Sequence, residues 1–351
     1  MEFILNGQGN GDVATRLLEA NMDANVLRPW IGDNGKHYVT LIQNGKPVAV
    51  PVGNATATLR KDDWKLLDKA VVKAAKPRLK AVADLRGAGL TFGINGMAKT
   101  VLETETQSDI SDAIVSMDGL RESTADRPVF ELTNLPLPII HKDFNFSARQ
   151  VMVSRNGGSP LDTTTAELAG RRVAEIAEKL LLGTYGTYAF GGGTIYGYTN
   201  YTNRLTKTIT APTAGGWTGA TTVNEVLEMI LQAQQAYHYG PYMLYCSLPW
   251  DVYMDDDYST AKGDNTLRER LRKIENIQDV RTLDYLSSTN YVLVLVQMTS
   301  DVVREVVGMD ITTVQWETKG GMQLNFKVMA ILVPQLRADQ NSNTGIVHGT
   351  T

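Results

Sequence analysis

Three stretches of the chain carry apolar residues at helical spacing, and around them the pattern switches to the two-residue period of strands. In DDWKLLDKAVVKAAKPRLKAVA, residues 62–83, the apolar positions are Trp64, Leu67, Val71, Val72, Ala75, Leu79 and Val82. Asp62 and Asp63 suit the positive N-terminal end of that helix, and Pro77 should kink or divide it. The clearest pattern is LDTTTAELAGRRVAEIAEKLLLG, with Ala166, Ala169, Val173, Ile176, Ala177 and Leu180 on one face. Thr164 and Glu167 have capping-box spacing, and Gly183 is a natural stop. The third helix is TTVNEVLEMILQAQQAYHYG, with Thr222 and Glu225 as its capping pair and Gly240 as its end.

Strand patterns follow. PYMLYCSL reads as a buried strand, and YVLVLVQM is apolar on both faces and therefore central to a sheet. VRTLDYL is a further strand, and MQLNFKVMAILVP alternates before becoming wholly apolar. PWDVYMDD and DNTLRERLRKIEN read as short helices. Residues 87–98 and 184–220 read as glycine-rich loops, and 337–351 as a polar, loose tail. Strands and helices alternate only in the second half, which predicts an α+β fold.

The first 155 residues are patterned differently. Val13 to Leu27 suits a short amphipathic helix, and HYVTLI and PVAVPV are strand-like pieces with a hairpin signal, Asn44-Gly45, between them. Residues 1–60 therefore read as an extended arm, which buries little by itself. Residues 99–155 are rich in β-formers but hold little that makes a core, and Pro136 and Pro138 confine any strand there to an edge or a bend. A long β excursion with open edges is a liability unless another subunit covers it.

Composition narrows the function. With 43% hydrophobic and 21% charged residues, a net charge of −4 and a pI near 5.7, the 351-residue chain is an ordinary globular one, and tight nucleic-acid binding is not expected. The lone cysteine, Cys246, excludes an intrachain disulfide and sits in an apolar run, where it reads as a buried small hydrophobe. No signal peptide and no bilayer-length apolar run are visible, so synthesis in a cytosol is the expectation.

Candidate chemistry is sparse. NGQGNGD and FGGGTIYG lack the strand–turn–helix setting of a phosphate loop. His37, His141, His238 and His348 have no metal-ligand spacing, and His238 suits a cap or packing position at a helix end. Asp255, Asp256 and Asp257 form an acidic run, but the ligand spacing of a calcium loop is missing, and a solvated loop is the plain reading. A sharper reading pairs this run with the basic helix bearing Arg268, Arg270, Arg272 and Lys273, meeting its counterpart on a neighbouring subunit around a symmetry axis. No catalytic residue, cofactor or metal site is expected.

GPYMLYCSLPWDVYM, residues 240–254, closely resembles a segment of encapsulins. In order along the chain, VFELTNLPLPIIHKDFNFSARQV resembles their strand returning from an extended loop, and LDTTTAELAGRRVAEIAEKLLLG their long spine helix. IENIQDVRTLDYLSSTNYVLVLVQ resembles the strand pair closing the axial domain, and VGMDITTVQWETKGGMQLNFKVMAILVP the final strands. The likeness covers roughly residues 120–335. It implies the Hong Kong 97 phage capsid fold, shared by encapsulins, tailed double-stranded DNA phages and herpesvirus capsid floors: an α+β fold with an N-terminal arm, an extended β loop, a peripheral domain with a long spine helix, and an axial domain. Mapped onto this chain, the arm is 1–60, a peripheral helix and linker 61–98, the extended loop 99–155, the peripheral domain 156–220, the axial domain 221–314, the final peripheral strands 315–336 and the tail 337–351.

The resemblance implies a major capsid protein that assembles into pentamers and hexamers of an icosahedral shell around double-stranded DNA, without catalysis. Portal, scaffolding and decoration proteins are its implied partners, the virion capsid its place, and the host bacterial cytoplasm its site of synthesis. The alternative is an encapsulin-like nanocompartment shell around a cargo enzyme, although the encapsulin cargo-groove helix has no match here. Some relatives crosslink a loop lysine to a neighbour's asparagine. Lys99 and Lys142 lie in that region, but no asparagine or carboxylate can be matched, and crosslinking is not expected. The residues expected at subunit interfaces are Lys99, Phe130, Pro136, Pro138, His141, Lys142, Asp255, Asp256, Asp257, Arg268, Arg270 and Arg272.

Overall fold

The computed structural model describes residues 28–43, 46–51, 59–107, 113, 115–117, 127, 130–156, 163–258 and 265–351. The helix expected over 13–27 and the Asn44-Gly45 turn lie outside the described residues. The chain forms two compact units: Met1–Thr100 with Leu137–Leu181 and Glu305–Pro334, and Val101–Pro136 with Leu182–Arg304 and Gln335–Thr351.

In the first unit, β1 (Trp30–Ile31), β2 (His37–Gln43) and β3 (Lys46–Pro51) form a small antiparallel sheet, with Gln43 opposite Lys46 as a hairpin requires. Helix α1 spans Lys61–Ala75, and the Asp63 carboxylate accepts from the Arg60 backbone N–H at 3.0 Å at its start. It buries Trp64, Leu67, Ala70, Val71 and Ala75. Val72, expected on that face, is exposed because it points out beside the lysines. Pro77 does divide the helix: a 3-10 turn at Lys76–Arg78 follows, and α2 resumes over Lys80–Gly87.

The segment expected to be without structure after α2 instead contains β4 (Thr91–Gly93), which pairs parallel with β14 (Val303–Thr318). The sheet runs β4-β14-β15-β7, with β15 at Gln323–Leu336 and β7 at Ile140–Ser147. Phe144, Phe146 and Phe326 form its aromatic centre, Phe144 stacking on Phe326 at 5.2 Å, and Trp64 of α1 meets Phe326 edge-on at 6.0 Å. Residues Ala148–Asn156, read as strand, are helix α3: after Ser147 the partner strand β15 has run out, and the Gln150 side chain accepts from the Ser147 N–H at 2.8 Å. The spine helix α4 spans Thr164–Leu182, and the Thr163 hydroxyl, one residue ahead of the expected Thr164, approaches the Glu167 carboxylate at 3.4 Å. Gly170 lies so near Val71 that a Cβ there would approach it to 2.8 Å.

The second unit is built on a five-stranded sheet, β10-β16-β13-β11-β12: Leu205–Thr208, Ile346–Thr350, Val292–Gln297, Tyr242–Ser247 and Ile277–Leu283. Every residue of β11 and β13 is buried, as their unbroken apolar runs require. Residues 337–351 are not a loose tail. Their strand β16 lies between β10, parallel, and β13, antiparallel, with Ile346 and Val347 fully buried. The short run IVHGT was too brief to announce itself against its polar surroundings. The loop reading of 184–220 also gives way to the short strands β8 (Tyr188–Phe190), β9 (Gly193–Ile195) and β10.

Helix α5 covers Gly219–Gln235. Its cap is Thr218 with Thr221, not Thr222 with Glu225: Thr222 is buried and accepts from Trp217 Nε1 at 3.0 Å, while Glu225 accepts from the Thr210 N–H at 2.8 Å. It ends before Gly240, because Tyr237 takes a left-handed φ of 63° and the His238 N–H bonds back to Ala233 O at 3.0 Å. The turn Leu248–Trp250 and helices α6 (Asp251–Met254) and α7 (Leu267–Arg272) complete the cover of the core, in which Trp250 is wholly buried.

Candidate assembly surfaces

Among the described residues, strands β5 (Val101–Gln107) and β6 (Phe130–Pro136) pair only with each other. Their register places Glu103, Glu105 and Gln107 opposite Asn134, Leu132 and Phe130 on one face. Phe130 is 59% exposed and Leu132 64% exposed, while Leu102, Leu135 and Pro136 are buried at the foot of the hairpin. Thr104 and Thr133 are joined across the strands by hydroxyls 2.9 Å apart. The β8–β9 hairpin rests on this foot: Asn134 Nδ2 donates to Gly191 O at 3.0 Å, and a Cβ on Gly193 would fall 2.0 Å from Asn134 O. Only glycine fits there. Tyr188 and Phe190 of β8 are exposed beside it in sequence.

The other expected residues are spread over both units. Lys99 is exposed just ahead of β5, Pro138 half-buried in the link to β7, and His141 and Lys142 exposed on β7, where His141 Nδ1 lies 3.6 Å from Asp143. In the second unit the acidic run and the basic helix do meet, but within one chain. Arg268 donates to Asp251 and Asp255 at 2.8 Å each, and Arg272 to Asp279 at 2.7 Å. The charge pairing expected between subunits is, for Asp255, Arg268 and Arg272, internal. Burial acts to raise Asp279, and bonds from the Val280 N–H, Arg281 and Arg272 outweigh it and hold the carboxyl below its usual range. Asp256 and Asp257 are exposed, and Arg270 is half-exposed. Residues 259–264 of the same loop lie outside the described residues.

The buried ionisable groups carried little sequence signal. Glu178 is 1% exposed, and its carboxylate accepts from the N–H groups of Ala81 (2.7 Å) and Val82 (3.3 Å), capping α2 where the N-cap residue Leu79 has no side-chain acceptor. Burial pushes its pKa up to about 7, against the lowering effect of those N–H bonds. Buried Glu305 takes Arg86 at 2.8 Å, and Arg86 also reaches Asp310 at 2.9 Å. In β16, burial and then the neighbouring Arg204 lower His348 to about 4. Burial raises the Cys246 thiol to about 11, which suits a packing residue and not a nucleophile. Among the described residues, no three His, Cys, Asp or Glu side chains converge as a metal set, and no helix is long and apolar enough to cross a membrane.

Three kinds of likeness to known proteins bear on this geometry. A family model described as a family of unknown function, DUF6260, matches residues 54–349. The type 1 encapsulin shell protein EncA of Myxococcus xanthus (strain DK1622) is 27% identical over 202 residues, which are 56% of this chain and 63% of that protein. The chain thus spans just under two thirds of that curated relative's length. Among solved structures, the virus-like particle from Pyrococcus furiosus superposes with a TM-score of 0.57 at 15% identity, over 81% of this chain and 98% of that one. The capsid of Myoviridae phage XM1 superposes with a TM-score of 0.59 at 9% identity, over 76% and 90%. The fold is the α+β Hong Kong 97 capsid fold.

Proposed function

We propose, on the premise that this chain belongs to the DUF6260 family, that it is a shell subunit working by self-assembly and not by catalysis: the major capsid protein of a tailed phage. The observation that carries the proposal is the β5–β6 hairpin, a two-stranded sheet that holds Phe130 and Leu132 out to solvent on a fold used for shells. An isolated hairpin is marginal in water, and open apolar strands invite pairing with another chain. Copies related by closed symmetry would cover them. In this reading the three-stranded sheet belongs to the arm, the hairpin is the extended loop, α4 is the spine of a peripheral domain, and the five-stranded sheet is the axial domain. The subunits form pentamers and hexamers around double-stranded DNA in the virion, after synthesis in the host cytoplasm, with portal, scaffolding and decoration proteins as further partners. Lys99, Pro138, His141, Lys142, Asp256, Asp257 and Arg270 remain available for contacts between copies.

The likeness to EncA favours a second reading, a nanocompartment shell around a protein cargo. Electron microscopy of the purified full-length chain tests the common claim. Closed particles are expected from the unaltered chain, and a Phe130→Ser, Leu132→Ser double variant should leave free capsomers or smaller species. A monodisperse monomer from the unaltered chain at high concentration would sink the proposal. The contents of particles made beside the neighbouring genes, nuclease-protected duplex or an enzyme, separate the two readings.

A further inference from the structure

Helix α1 and the 3-10 turn after it carry a charge pattern that neither the core nor the hairpin explains. Over residues 61–80 there are seven cations against three carboxylates, in a chain whose net charge is −4. The three carboxylates are already engaged. Asp62 takes Lys65 at 2.9 Å, Asp63 accepts from the Arg60 N–H, and Asp68 pairs with Arg28. Lys69, Lys73 and Lys76 are exposed, and among the described residues none has a carboxylate within ion-pair reach. Four residues of α-helix advance about 6 Å, so Lys69 and Lys73 stand one above the other on the outer face, and Lys76 continues the row into the turn. Trp64, Leu67 and Val71 fix that face by anchoring the opposite one in the core.

We infer that this lysine row is a contact for the phosphate backbone of double-stranded nucleic acid. A row of unpaired lysines is a poor protein–protein surface, because lysine is depleted at such interfaces. It is a good phosphate surface: a duplex presents closely spaced phosphates along its whole length, and lysine contacts to them position the backbone without reading sequence. The row therefore complements an otherwise acidic chain. It holds a duplex by counterion release, weakly per subunit and strongly over many copies. The inference rests on the shell reading above for its setting and adds the surface that would face the enclosed duplex.

The test is a titration of a fluorescein-labelled 30-base-pair duplex with the full-length chain, below the concentration at which particles form, at several salt concentrations. Each lysine–phosphate contact adds about 0.9 to the slope of log affinity against log salt. The K69Q/K73Q/K76Q variant should lose about 2.7 from that slope by the same rule, and K69R/K73R/K76R should keep it. Equal slopes for the unaltered chain and the glutamine variant, or no duplex binding at about 50 mM salt, would overturn the inference. So would a glutamine variant that binds duplex normally but no longer self-associates, since the row would then be a contact between copies. Particle formation, scored separately by electron microscopy, reports on the shell reading whatever the titration gives.

Discussion

Strands β6 and β13 end in opposite environments. In β13, Val292–Gln297, every side chain is buried between β11 and β16. In β6, Phe130–Pro136, the first four residues are exposed, and among the described residues β5 is the only partner strand. β13 is apolar at five of its six positions, whereas β6 sets Phe130, Leu132 and Leu135 among polar residues. The number of neighbouring strands the chain supplies differs as well. β13 is covered from within the chain, whereas β6 leaves Phe130 and Leu132 exposed. Stability and assembly should therefore respond to different substitutions.

The largest effect that sharpens this contrast is removal of residues 345–351. It takes β16 out of the ladder between β10 and β13 and leaves both edges bare. The cooperative thermal transition of the second unit should vanish by calorimetry. A normal transition would mean that β16 is dispensable. Next comes a matched pair. Leu295→Ala in β13 should cost about 3 kcal/mol in denaturant unfolding, and Leu132→Ala in β6 under about 0.5 kcal/mol while it impairs particle formation. Equal losses of stability would erase the contrast.

The remaining effects are on pH dependence, and the two units should differ in sign. Glu178 has its folded pKa raised to about 7 from 4.5, so the native state holds the extra proton between those values and stability falls as pH rises through that window. At about 1.4 kcal/mol per pKa unit, the effect is on the order of 3 kcal/mol. His348 is depressed to about 4 from 6.5, so there the unfolded chain holds the extra proton and stability falls as pH drops from 6.5 toward 4. Glu178→Gln should flatten the first dependence and His348→Gln the second, each measured by unfolding at a series of pH values. A Glu178→Gln profile identical to that of the unaltered chain would mean the carboxylate is already ionised throughout.

Much of the fold was legible because its signals are local. The spine helix, the break at Pro77, and the buried runs of β11 and β13 each follow from side-chain period or backbone restriction within one segment. What escaped is set by distance in the chain. β4 is three residues that become a strand only because β14, over two hundred residues later, offers a ladder. The helix caps slipped by a few residues because any of several threonines can serve, and tertiary packing chose Thr218 by drawing Thr222 toward Trp217. Of the expected interface residues, Phe130 came only with the extended loop that the resemblance implied, and it is exposed on β6. The acidic run was expected to meet the helix of Arg268 across a subunit boundary; Arg268 instead takes Asp251 and Asp255 of its own chain, because the folded loop brings them to it. Glu178 carries no local signal of its role, because its backbone partners sit almost a hundred residues upstream.

The place of β16 bears on the timing of synthesis. A ribosome makes β10, β11, β12 and β13 before it makes Ile346–Thr350, yet β10 is joined to the others only through that last strand. Until it emerges, a nascent chain has an open slot between β10 and β13. The order of synthesis thus leaves this sheet in two pieces, β10 apart from the rest, until Ile346–Thr350 joins them.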